Sequence, residues 1–166
     1  MFGVILGIGG AFIVAVTAIG IVFVVGMRRK SSLVRGAVIR VSKLFNKVAL
    51  KTVGQAGAGA ARMGHRGRTS GRPYETPVGA VASEDGFLIS LPYGLQSNWV
   101  RNVLASGSAT LGFEGQTYAL DQPEIIPLKT VETAFSVGDQ RMHRICGVTE
   151  VLRLRRAAVC EVGLAA

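Results

Sequence analysis

Acidic residues are absent from the first 74 positions of this 166-residue chain, and no charge of either sign stands between Met1 and Met27. A segment so short of polar groups is not a disordered tail, which needs charge and low hydrophobicity. Cysteine is scarce as well. Cys146 and Cys160 are too few for the disulfide framework of a small secreted domain, agree with a reducing compartment, and read as buried thiols. His65, His143, Cys146 and Cys160 lack the spacing of a metal site; His143-x-x-Cys146 is a lone pair and reads as structural. No G-x-G-x-x-G follows a strand and no G-K-[ST] occurs, which excludes the Rossmann fingerprint and the Walker A loop. The Gly and Ala stretch from Gly54 to Gly64 is then a small-residue helix end or linker. A catalytic triad and a carboxylate pair are also missing.

What is present begins with an apolar run from Phe2 to Val25. At about 1.5 Å per residue, roughly 20 such residues cover a hydrocarbon core of about 30 Å, so the run predicts a membrane-spanning helix. A cleaved signal peptide fits less well, because nothing basic precedes the run and no A-x-A site stands before Arg28, Arg29 and Lys30. Those bases predict a single-pass protein with its body facing the cytoplasm. A buried core helix would need a larger surrounding domain. Residues 28 to 74 carry twelve Lys or Arg, and residues 75 to 166 carry seven against ten acids, so the net charge of +9 belongs to one segment. Within it, Val34, Val38, Val41, Phe45 and Val48 share one helical face and Arg40, Lys43, Lys47 and Lys51 the other. Such a helix can lie on anionic membrane lipid, or pack on its own domain with a solvated basic face. The expected division is an anchor at 1–27, a basic helix and linker at 28–64, and a cofactor-binding domain at 65–166.

From Tyr74 onward the texture is short strands between turn residues. Strands are predicted at Tyr74 to Ala82, Phe87 to Leu91, Ala109 to Phe113, Thr117 to Leu120 and Thr149 to Arg155. Glu84 to Gly86 and Glu114 with Gly115 make the hairpin turns. One helix is predicted from Ser97 to Ser106, stopped by Gly107, and another from Leu128 to Phe135, resuming before Ile145. The class is mainly β (α+β), and closure into a small antiparallel barrel would remove its exposed edges.

Two constellations could carry chemistry. His65-Arg66-Gly67-Arg68-Thr69-Ser70-Gly71-Arg72-Pro73 places three guanidiniums, two hydroxyls and flexible glycines directly before the strand containing Thr76 and Pro77. Forked Arg donors and backbone N–H groups beside Gly suit a phosphate or carboxylate; a solvated basic loop has the same composition. Leu91-Pro92-Tyr93-Gly94 followed by Asn98-Trp99-Val100-Arg101-Asn102 puts two amides four apart beside an indole, which suits the edge of a flavin-like ring. The alternative is Trp99 in the core with cap and surface asparagines.

Taken in order, H-R-G-R-T-S-G-R-P with T-P, the L-P-Y-G loop and W-V-R-N-V-L-A resemble the deazaflavin-dependent nitroreductase family, over roughly His65 to Leu120. The resemblance implies a split β-barrel of the FMN-binding-like type that binds coenzyme F420 and passes its hydride to an organic acceptor, a quinone or nitro compound. It implies Arg66, Arg68, Thr69, Ser70, Arg72, Thr76 and Pro77 around the phosphate and oligoglutamate tail, and Pro92, Tyr93, Asn98, Trp99 and Asn102 around the ring. Thr69 departs from the family's usual Lys or Arg, so a tail contact is lost or is supplied by Arg66 or Arg72. Tyr93 or Tyr118 could donate a proton to the product. A deazaflavin performs the hydride step itself, in keeping with the missing triad. Two competitors remain: an FMN-binding split barrel, and a non-catalytic lipid-binding or docking module. A homodimer is compatible with each. Nucleic acid is not an expected partner, because the basic run lacks interleaved aromatics.

Overall fold

The computed structural model describes residues 52–157 and, before them, residues 21, 24–26, 28, 29, 36 and 50. Seven strands form one antiparallel sheet: β1 (Ala61–Arg66), β2 (Pro73–Val78), β3 (Ala80–Ala82), β4 (Gly86–Ser90), β5 (Ser108–Phe113), β6 (Gln116–Pro127) and β7 (Glu150–Arg156), in the order β2-β1-β5-β6-β7-β4-β3. Helix α1 (Asn98–Ser106) joins β4 to β5. Two short 3-10 turns, Leu128–Thr130 and Glu132–Ala134, lead from β6 into helix α2 (Val137–Cys146).

The connectivity dictates the shape. Strands β2 and β3 lie at opposite ends of the ladder, yet only Gly79 separates them. Laid flat at about 4.8 Å per strand, seven strands would hold those ends roughly 30 Å apart. The sheet must therefore curl until its two ends are neighbours. The concave side encloses the main core, in which Met63, Phe87, Ile89, Leu111, Leu152 and Leu154 are almost fully buried. Val100 and Val103 of α1 close one side of it. Burying a side chain of this size contributes about 1.5–3 kcal/mol. On the opposite face of β4 and β7, Leu88 and Val151 meet Leu128 and Phe135 in a second cluster. Strand β4 is thus buried on both faces and reads as a continuous apolar run.

The local signals behave as their chemistry requires. Glu114 and Gly115 take φ of 48° and 78°, the paired positive values of a two-residue hairpin turn. Gly107 ends α1 at φ 69°, its N–H bonded to Val103 O. Ser97 occupies the N-cap of α1, but its hydroxyl donates to Gly94 O at 3.0 Å instead of capping. Strand β6 runs well beyond the predicted Thr117 to Leu120, because a register shift between Asp121 and Glu124 accommodates Pro123.

Two expectations are corrected. The predicted class was a split β-barrel of the FMN-binding-like type behind a transmembrane and an amphipathic helix. The chain instead folds as a curled seven-stranded half-barrel, because among the described residues β2 pairs only with β1 and β3 only with β4, and the ladder is not a ring. Among the described residues no helix is long and apolar enough to cross a membrane. Most of the Phe2 to Val25 run and of the basic helix at 31–53 lies outside the described residues, as does Cys160. At the end of the uncharged run, Val24 and Arg28 line a cleft of about 410 Å³ with Arg141, Arg144 and Ile145 of α2. No described helix supplies the span on which the expected cytoplasm-facing single-pass topology rested.

Gly86 opposes Arg155 where β4 meets β7, and a Cβ there would lie 1.9 Å from Leu154 O. Gly86→Ala is expected to lower the unfolding free energy by about 1–3 kcal/mol, the usual range for overpacking. Urea denaturation should show a lower midpoint with an unchanged slope.

Candidate functional site

The basic motif is the tip of the β1–β2 hairpin. Strand β1 alternates, with Ala61, Met63 and His65 inward and buried, and pairs with β2 so that His65 faces Tyr74 and Arg66 faces Pro73. Between them the tip closes through Gly67 N–H to Arg72 O at 2.8 Å and Gly71 N–H to Gly67 O at 2.7 Å. Gly71 takes φ +65°, and a Cβ on Gly67 would strike Ser70 and Tyr74. The glycines serve the turn's own geometry. The N–H groups of Gly67, Arg68, Gly71 and Arg72 all have partners within the protein, so an incoming anion meets guanidiniums more than backbone.

Helix α1 braces this tip through Asn102, which is buried at 6% exposure. Its Oδ1 accepts from Arg68 N–H at 3.2 Å and from Arg68 Nη1 at 3.0 Å, while its Nδ2 lies 3.2 Å from His65 Nδ1. The other ring nitrogen, His65 Nε2, lies 3.1 Å from Thr76 Oγ1. The His65 ring stacks on Tyr74 with centroids 5.9 Å apart, and Tyr74 Oη is 3.3 Å from Ser70 Oγ. Arg66 Nη1 reaches Gly71 O at 3.4 Å.

The electrostatics of the tip are unbalanced. Elsewhere Arg153 pairs with Glu124, and Arg155 pairs with Asp85 at 3.2 Å. Among the described residues no carboxylate pairs with Arg66, Arg68 or Arg72, all of which are exposed. Three guanidiniums within seven residues repel one another, and an anion placed among them relieves that repulsion.

The remaining expected site residues divide between this network and other places. Thr76 is the partner of His65, and Pro77 sits beside it opposite Arg62. Thr69 and Ser70 are exposed on the tip. Pro92 and Tyr93 are half-buried in the turn that leads to α1, where Gly94 N–H bonds Leu91 O at 2.9 Å. Asn98 is exposed at the start of the helix; Trp99 is half-buried and packs against the main core. Tyr118 belongs to another cluster. Its hydroxyl donates to Gln116 Oε1 at 2.7 Å, its ring lies 4.9 Å from that of Phe87, and Arg156 covers it at 5.2 Å.

The first constellation began at His65, but the resemblance gave that residue no role, and strand β1 was not predicted. The signal was the two-residue period of Ala61, Met63 and His65, hidden in a Gly and Ala stretch that resembles a linker. A second buried histidine, His143 of α2, holds Ser90 Oγ at 2.7 Å and packs edge-on to Phe135. Burial pushes the Cys146 thiol up from its ordinary range, which makes it a poor nucleophile.

No protein-family model matches the chain, and no curated protein matches it. Among solved structures, it is similar to a protein of unknown function from Agrobacterium tumefaciens, at 16% identity and a TM-score of 0.45, over 59% of this chain and 48% of that one. It spans about half the length of that neighbour. It is also similar to a domain-swapped dimer, at 10% identity and a TM-score of 0.48, over 72% of this chain and 99% of that one.

Burial lowers the pKa of both His65 and His143 below the ordinary 6.5; for His143, Asp139 and Glu132 partly oppose this. The unfolded chain then binds more protons than the folded one, so stability rises with pH in that window. The contribution is fully present above about pH 6.5 and is lost as the pH falls through the folded-state values. Thermal melts should hold a constant midpoint between pH 7 and 8 and decline toward pH 5, and the decline should shrink in His65→Asn.

Proposed function

We propose that the tip of the β1–β2 hairpin holds the anionic tail of a deazaflavin cofactor, coenzyme F420, and that the protein delivers hydride from the reduced cofactor to an organic acceptor such as a quinone or nitro compound. One observation carries this reading. The bonds from Arg68 to Asn102 join the two sequence motifs, 34 residues apart, into one site whose three arginines have no carboxylate partner among the described residues. The donor set fits the tail, because phosphate and glutamate carboxylates match guanidinium forks.

When bound, the deazaflavin supplies the two-electron hydride step. The chain's own task is attraction, orientation and exclusion of water. Arg66 and Arg72, exposed on the tip, draw in the polyanion. Arg68, fixed by Asn102, sets where the first anionic group stops. Trp99, packed on the core and still partly exposed, offers an indole against a planar ring and shields it from water.

Oxidised F420 titrated into the full chain and followed by its fluorescence should bind in the micromolar range at low salt and more weakly as salt rises. An exposed charge pair contributes roughly 0.2–1 kcal/mol, so Arg72→Ala should weaken binding by up to about fivefold. Absence of binding at micromolar concentrations would sink the reading. A flavin absorption band in the purified protein would move it to FMN.

A further inference from the structure

The Asn102 amide has a fixed polarity, and that polarity determines the state of a histidine outside the expected site. Two donors of one residue, Arg68 N–H and Nη1, converge on Asn102 Oδ1 at 3.2 and 3.0 Å. Turning the amide over would set its NH2 against both of them, donor against donor. The NH2 therefore faces His65 Nδ1 at 3.2 Å. An amide nitrogen can only donate, so Nδ1 carries the lone pair and the ring hydrogen is on Nε2, 3.1 Å from Thr76 Oγ1. His65 is neutral in this arrangement, because a hydrogen on Nδ1 would point into the NH2 of Asn102.

The consequence is a directed chain of hydrogen bonds from the sheet to the tip. Thr76 on β2 holds the ring of His65 on β1, His65 holds the amide of Asn102 on α1, and Asn102 holds both ends of Arg68. His65 is 8% exposed and Asn102 6%, so water does not readily replace either link. Arg68 itself is exposed, and a long arginine on a hairpin tip would ordinarily sample many rotamers.

We propose that His65, as the neutral Nε2–H tautomer, is a positioning residue that acts through Asn102 to hold Arg68 ready for the anionic group. This rests on the reading of the tip as the cofactor-tail site. Preorganising Arg68 raises affinity by lowering the ordering cost that binding would otherwise incur. The sites should then be coupled and not additive.

The test uses the full chain and oxidised F420 as the probe. If Arg68→Ala weakens binding about threefold to fivefold, the range of an exposed charge pair, His65→Phe should weaken it measurably but by no more than that, and the double variant no further than Arg68→Ala. His65→Asn places a carbonyl oxygen near the Nδ1 position, and should restore affinity to within about twofold of the parent. Additive losses, or an unaffected His65→Phe beside a weakened Arg68→Ala, would overturn the proposal. If the parent chain does not bind F420, the functional reading fails, and nitrogen NMR of the unliganded protein decides the relay alone. It should show His65 with hydrogen on Nε2 and an ordered Arg68 side chain that becomes mobile in His65→Phe. Should that variant not fold, Asn102→Asp replaces the NH2 with an acceptor and should move the hydrogen to Nδ1. An Arg68 indifferent to His65, or a ring indifferent to Asn102→Asp, overturns the proposal in either case.

Discussion

One residue, Gly79, separates the strands at the two ends of the sheet, and the rest of the structure follows from that constraint. A seven-stranded antiparallel sheet whose ends are that close in sequence has to curl, and curling creates the enclosed face on which Met63, Phe87, Leu111 and Leu154 pack. It also sets where α1 lies. The helix makes its interstrand contacts chiefly with β1 and β5, and so arrives beside the tip of the β1–β2 hairpin. The candidate site is a by-product of how the core closes.

At that tip, satisfaction of buried polar groups and display of charge are solved together. A buried amide left without partners costs about 1–3 kcal/mol, so Asn102 inside the protein needs both faces occupied. It obtains one set of partners from Arg68 and the other from His65. The same bonds that satisfy the amide hold a cation at the surface in one place. The tip is built more rigidly than its glycine content suggests, because Gly67 and Gly71 are engaged in closing the turn.

Much of the architecture was legible in local chemistry. Turn residues at Glu84 to Gly86 and at Glu114 with Gly115, the stop at Gly107, and the alternating or continuous apolar runs located six of the seven strands, with β2 and β3 read as one, and helix α1. Strand β1 was not legible, because its short alternation lies at the end of a Gly and Ala stretch and part of its pairing is supplied by β5, far along the chain. Closure into a ring was also misjudged: whether the edges of a sheet pair depends on where one bend falls. The membrane-spanning reading of Phe2 to Val25 rested on length and composition, and no described helix is long and apolar enough to cross a membrane. The described end of that run adjoins α2.

The sequence by itself determined the charge imbalance, the turn positions and the presence of two motifs, since these depend on residue type and near neighbours. Only the tertiary structure decided that Arg68 and Asn102 touch, that Trp99 leans on the core while Tyr118 joins another cluster, and that Asn102 bridges Arg68 and His65. The physical reason is that a hydrogen bond's direction and a histidine's tautomer are set by partners brought from elsewhere in the chain. Composition places three arginines on a loop; among the described residues the fold pairs none of them with an acid, and it fixes one of them in position.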